Sequence, residues 1–239
     1  MGSVDARPNF HHELEQVHEE LVRLASAVVE LIPRVTAVIL DGDLVEADRI
    51  VQADDEIDAR AIDIEERCYR LLVLQQPMAK DLRRIVAAIK MVADIERSAD
   101  LCVNICKAAR RIYGKTLDPR MRGVLHRMSE QAQVLYRCAV EAYADDDAPL
   151  GAAIRDMDDL LDGLQTEFMR TLFESHNAGL TDLQVGVQLA LVCRFYERIG
   201  DHAVSLGERV RYIVTGWMPE QAGAARHRQA QAAEPDEPQ

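Results

Sequence analysis

The chain repeats itself. Sliding it by 101 positions lays DLRRIVAAIKMVADIERSADLCVNI (81–105) on DLQVGVQLALVCRFYERIGDHAVSL (182–206). Asp81 meets Asp182, Leu82 meets Leu183, Val86 meets Val187, Glu96-Arg97 meets Glu197-Arg198, and Asp100 meets Asp201. Upstream, Asp55, Asp58 and Glu66 meet Asp156, Asp159 and Glu167. Fixed-period self-similarity means that one supersecondary unit is used twice, so the fold must be a tandem array.

The unit is helical. Apolar residues recur at helical spacing along almost the whole chain. Aromatics are scarce at 5% while Ala, Leu, Val and Ile are plentiful, which favours helix-on-helix packing over a β-sandwich. The spacing predicts helices over about 10–40, 44–74, 79–113, 118–144, 150–176 and 181–214. Pro33 falls inside the first as an expected kink. Pro77 breaks the pattern between the second and third, and Gly114 is a C-terminal cap. Asp118 with Pro119 has the form of an N-cap and first helical position. TDLQ at 181–184 has capping-box spacing, with Thr181 as the cap.

Long helices with short loops are antiparallel neighbours. The expected architecture is all-α: two tandem three-helix bundles, residues 10–115 and 116–217, after an N-terminal arm (1–9). Residues 218–239 are polar, proline-ended and without apolar period, and are expected to be a disordered tail.

Composition excludes several roles. A formal charge of −13 gives the chain little reason to seek nucleic acid. So acidic a surface also argues against direct phosphate binding unless a metal bridges it. No apolar run approaches the ~20 residues of a membrane span, and the first residues lack a signal peptide's apolar segment. A cytoplasmic protein without membrane insertion is expected. The five cysteines (68, 102, 106, 138, 193) sit in apolar helical patterns and read as reduced core thiols.

The repeat carries an awkward feature twice. Glu96/Asp100 and Glu197/Asp201 are like charges four residues apart on one helix face, unfavourable by about 0.2–0.5 kcal/mol per pair. One such pair is ordinarily a solvated face. Two in register, with acids opposite, ask for a positive partner. Around a turn near Pro77, Glu96 lies 19 residues after and Asp58 19 before; Asp100 lies 23 after and Asp54 23 before. Equal rise puts such positions at one height on antiparallel helices. Four carboxylates can therefore face one another. Around Ala178, Glu197 is level with Asp159, but Asp201 is level with Arg155, so Asp156 and Asp158 are the nearest acids. Arg155 itself could fill a cation's place. Clustered carboxylates suit Mg or Ca, and also Mn, Zn or iron. Asn104 and Ser205, one turn on, could add neutral oxygens.

Other candidates are weaker. Glu15/His18 has the Glu-x-x-His spacing of carboxylate-bridged di-metal oxidases and ferroxidases, the rival reading. Those sites need the pair twice, and it occurs once. His202 is either a packing residue or a ligand. Gly200 and Gly207 inside a helix point to close helix approach. No Gly-rich phosphate loop, nucleophile elbow or catalytic Cys-His pattern occurs, so no enzymatic role is expected.

QPMAKDLRRIVAAIKMVADIERSAD and YERIGDHAVSLGERV resemble the two signature segments of the PhoU family, regulators of bacterial phosphate transport. The resemblance spans about residues 10–215. It implies metal clusters, iron foremost, on paired acidic motifs: Asp54, Asp58, Glu96 and Asp100 in the first repeat, Glu197 and Asp201 in the second. Asp156 and Asp159 enter from register alone. ERSAD stands in the first repeat where ERIGD is usual, and Ser205 where Asn is common. The resemblance implies a negative regulator of the phosphate-starvation response. Its implied partners are the ATPase subunit of a phosphate ABC transporter and the cytoplasmic region of a sensor histidine kinase. It also implies a homodimer, working at the inner membrane face through these partners.

Overall fold

A computed structural model of the chain describes residues 7–217. It contains α1 (Arg7–Asp41), α2 (Leu44–Gln75), α3 (Ala79–Arg111), α4 (Pro119–Ala144), α5 (Ala148–Asn177) and α6 (Leu183–Thr215). No strand occurs among the described residues. The last three residues of the expected arm are helical, because α1 starts at Arg7. The expected tail (218–239) lies outside the described residues.

Side-chain caps set most helix starts. The Asp43, Asp118, Asp147 and Asp182 carboxylates accept from free amides of α2, α4, α5 and α6. The cap of α6 is thus Asp182, one residue after the expected Thr181. Thr181 is buried instead, its hydroxyl 2.8 Å from that of Ser175. Gly42, Gly114, Gly179 and Gly216 take positive φ at the turns.

α1–α3 pack on one another, as do α4–α6, and the two bundles join along α1/α4 and α3/α6. α3 and α6 run antiparallel: Arg83 near the start of α3 donates to the Ile213 carbonyl (3.2 Å), and Arg111 at its end reaches Gln188 (3.2 Å). One continuous apolar core results, filled by Leu, Ile, Val, Ala and four buried cysteines.

Polar side chains stitch the joint. Pro33 has no amide proton for the Val29 carbonyl, and Gln133 of α4 donates to that oxygen at 3.1 Å. The buried Thr36 hydroxyl lies 2.7 Å from the Ile32 carbonyl, 2.7 Å from Ser129 Oγ and 2.6 Å from the Tyr196 hydroxyl. One proton and two lone pairs serve all three, tying α1, α4 and α6 together. Between α3 and α6, Ser98 Oγ is 2.9 Å from His202 Nδ1, and Ser205 donates to Asp94 at 2.8 Å. Within the second bundle, α5 and α6 touch backbone to backbone. A Cβ on Gly207 would sit 2.5 Å from the Gly151 carbonyl oxygen, so close approach is what these glycines permit.

Core positions show that the repeat has two offsets. Val17, Leu21, Leu24 and Val28 of α1 correspond in burial to Met121, Leu125, Met128 and Ala132 of α4, an offset of 104. Ala47, Ile50, Ile64 and Cys68 of α2 correspond to Gly151, Ile154, Phe168 and Leu172 of α5, again an offset of 104, as do the caps Asp43 and Asp147. Met91, Ile95 and Cys102 of α3 correspond to Val192, Tyr196 and Ala203 of α6, the offset of 101 that the sequence displays. Leu71 and Met91 are twenty residues apart, while their counterparts Ser175 and Val192 are seventeen, so the second hairpin is three residues shorter across its turn.

Candidate metal centre

In the first bundle the acids gather as the hairpin geometry requires. Asp58 and Glu96 line one groove of about 290 Å³ between α2 and α3. Burial raises the Asp54 carboxyl above its usual range, and the charges of Asp58 and Asp100 add to this, with Lys107 opposing. Burial likewise raises Glu96, with Asp100, Asp58 and Asp54 adding and Arg97 opposing. Like charges that each disfavour ionisation of the next store electrostatic energy, which a cation would release.

The second bundle repeats the arrangement acid for acid, through Asp158, Asp162, Glu197 and Asp201. Asp158 is pushed up to about 6, first by burial and then by Asp162, Asp201, Glu197 and Asp159. Glu197 is raised by burial and by Asp201, against Arg194, with which it forms an ion pair. An offset of 104 makes Asp158 the counterpart of Asp54 and Asp162 the counterpart of Asp58: Asp158 feels Asp162 and Asp201 as Asp54 feels Asp58 and Asp100, and Glu197 feels Asp162 as Glu96 feels Asp58. Asp159 is exposed and contributes charge; Asp156 is exposed and is not among the charges acting on Asp158 or Glu197 named above. The shorter second turn means that a uniform 101-residue slide falls three positions short on α5. That is why the slide pointed to Asp156 and Asp159 while Asp158 and Asp162 are the acids that meet Glu197 and Asp201. The signal was in the sequence: a slide of 104 lays ADDEID (53–58) on MDDLLD (157–162).

Three carboxylate oxygens in these clusters are shut off from water without a hydrogen-bond partner: Asp54 Oδ1, Asp158 Oδ1 and Glu197 Oε2. Such atoms normally carry a partner, and a bound cation is one that protein atoms alone do not provide. The donor set is all oxygen, which fits hard cations, Mn and iron. Among the described residues, no three acidic, His or Cys side chains stand close enough to close on one ion as they are. Binding one ion at either cluster would require side-chain rotation.

Neighbouring candidates go elsewhere. Arg155 pairs with Glu208 and does not enter the cluster as a surrogate cation. Ser205 serves the α3/α6 joint through Asp94, and His202 packs there. His18 stacks on Tyr143 at 4.6 Å, while Glu15 is exposed.

This arrangement has relatives. The family model for the PhoU domain matches twice, over residues 21–109 and 125–210. The chain belongs to the PhoU family. It is 32% identical over 214 residues to the phosphate-specific transport system accessory protein PhoU homolog 1 of Mycobacterium tuberculosis, covering 89% of this chain and 96% of the relative. A PhoU homolog of Clostridium acetobutylicum is 29% identical over 211 residues, covering 88% and 96%. Among solved structures, PhoU from Pseudomonas aeruginosa superposes with a TM-score of 0.82 at 28% identity, covering 87% of this chain and all of that one. PhoU from Streptococcus pneumoniae superposes at 0.81 and 23% identity, covering 87% and 98%, a likeness of fold. The PhoU assignment leaves the oxidase reading without support, in keeping with the lone Glu-x-x-His. No helix among the described residues is long and apolar enough to cross a membrane.

Proposed function

We propose that this PhoU-family chain is a non-enzymatic, metal-dependent regulator of phosphate uptake. It relays the state of a phosphate ABC transporter, through the ATPase subunit, to the cytoplasmic region of a sensor histidine kinase, and holds the phosphate-starvation response off. It does so in the cytoplasm, at the inner membrane face, as a homodimer.

The observation that carries the metal dependence is the doubling. Two hairpins of one chain each gather carboxylates with raised proton affinity and oxygens lacking partners. Asp54, Asp58, Glu96 and Asp100 would hold metal in the first bundle. Glu197 and Asp201 would do so in the second, with Asp158 and Asp162 and with Asp159 at the rim, and Asp156 contributes least. Iron is the first candidate by family likeness, then Zn, Mn, Mg or Ca. A bound cation would neutralise repulsion between the two helices of each hairpin and fix their spacing. Partners that dock on those helices would then read the loaded form.

Deleting the gene and following a phosphatase reporter in high phosphate tests the regulatory role; constitutive expression is the expected result, and normal repression would refute it. Pull-down with the kinase's cytoplasmic region, using Glu96→Ala/Asp100→Ala, tests the metal dependence. Unchanged capture would count against a metal-dependent interface.

A further inference from the structure

The outer face of the first bundle carries a groove of about 340 Å³ between α1 and α2, at the small end of the ~300–1,000 Å³ typical of ligand sites. Three guanidiniums line it: Arg23 from α1, and Arg60 and Arg67 from α2. Its apolar floor is Leu24 and Ile64, and two acids, Glu20 and Asp63, share the walls. Arg67 is bound to Glu20 at 3.2 Å. Arg23 and Arg60 are held only by acids of their own helices outside the lining, Glu19 at 2.7 Å and Glu56. Each guanidinium has five N–H donors, so a single carboxylate leaves most of the fork available. On a chain of net charge −13, the lining of this groove has three positive and two negative side chains.

The second bundle is an internal control. With the offset of 104, Arg23 corresponds to Arg127 and Asp63 to Glu167, while Arg60 and Arg67 correspond to Leu164 and Thr171. There, Arg127 and Glu167 close an ion pair across the helices at 2.6 Å. The fold therefore accommodates a neutralised version of this face. The first bundle keeps an arginine and an acid at those two positions and adds two arginines against one further acid, Glu20, and the result is positive charge surplus to packing.

We propose that the Arg23/Arg60/Arg67 groove is a binding site for a small phosphate-bearing anion, separate from the carboxylate clusters. Guanidinium forks match phosphate oxygens two at a time, and the Leu24/Ile64 floor gives room for an apolar body attached to the phosphate.

The test is calorimetric titration of the full chain, stripped of metal by chelator, with inorganic phosphate, pyrophosphate and a nucleoside diphosphate in separate runs. Metal stripping prevents anions bridged by ions at the carboxylates from being read as this site, so the outcome is independent of the regulatory proposal. Saturable binding of at least one probe is expected. It should weaken about tenfold or more in Arg67→Glu, which reverses one of the added charges, and in Arg60→Leu, which installs the second bundle's apolar residue. Preference for the nucleotide over pyrophosphate assigns a role to the apolar floor; equal binding, or preference for the inorganic probes, assigns the site to phosphate groups alone. Because Arg67→Glu faces Glu20, circular dichroism and melting check its fold, and Arg60→Leu stands as the independent variant. Absence of saturable binding to all three probes, or unchanged affinity in both folded variants, overturns the proposal.

Discussion

Neutralising Asp158 should make the metal-free protein more stable. Its carboxyl is raised from 3.8 to about 6, so between those values the folded state holds a proton that the unfolded state has lost. Stability therefore falls as pH rises through that window and stays reduced above it. A shift of roughly two units corresponds to a ceiling of about 3 kcal/mol, and screening of a half-exposed group brings this to about 1–2 kcal/mol. Asp158→Asn keeps the shape and removes the charge. At pH 7.5, with chelator, it should gain that amount, raising the midpoint of thermal unfolding by about 2–8 °C for a chain of this size. At pH 4, where the wild-type carboxyl is already protonated, the gain should vanish. Urea unfolding at both pH values measures the difference directly. The ordinary expectation for replacing an acid on a solvated helix face is a change within about 0.5 kcal/mol at either pH. A destabilised variant, or a difference that does not depend on pH, would refute the claim that Asp158 sits in a repulsive cluster.

The packing account gives paired expectations. Gly207→Ala should destabilise by about 1–3 kcal/mol, because the new methyl meets the Gly151 backbone, which cannot swing away. Gly200→Ala meets the side-chain ends of Leu161 and Asp158, which can rotate, and gains about 1 kcal/mol of helix propensity, so it should fall within about 1 kcal/mol of wild type in chemical denaturation. Tyr196→Phe removes a buried hydroxyl bonded to Thr36 and should lose about 1 kcal/mol. Tyr136→Phe removes a buried hydroxyl whose neighbour, Ser98, is already engaged by the Asp94 carbonyl and His202, and it should cost less than Tyr196→Phe in the same assay.

Helical period, prolines, glycines and the Asp118 cap made the six elements readable, and the repeat made the two bundles readable. The first acid cluster was legible too, because Asp54, Asp58, Glu96 and Asp100 are symmetric about the turn at Pro77. The second was not, because a single slide of 101 assumes turns of equal length. The second hairpin is three residues shorter, so the acids of α5 lie three positions beyond where that slide puts them. Asp158 and Asp162 could have been found by sliding α2 alone by 104, which lays ADDEID (53–58) on MDDLLD (157–162). The joint between bundles was illegible for a different reason. Thr36, Ser129 and Tyr196 come from three helices, and nothing local marks them as one hydrogen-bonded group. The arginine groove likewise becomes visible only when the two bundles are compared position by position.

The central claim is that both hairpins bind metal through their carboxylates. Equilibrium dialysis of the purified chain against iron or manganese, followed by elemental analysis, tests it most directly. Metal should be retained by wild type, reduced in Asp58→Asn/Glu96→Gln, reduced in Asp158→Asn/Glu197→Gln, and absent when the four changes are combined. Wild-type protein that retains no metal, or a combined variant that retains as much as wild type, would contradict it.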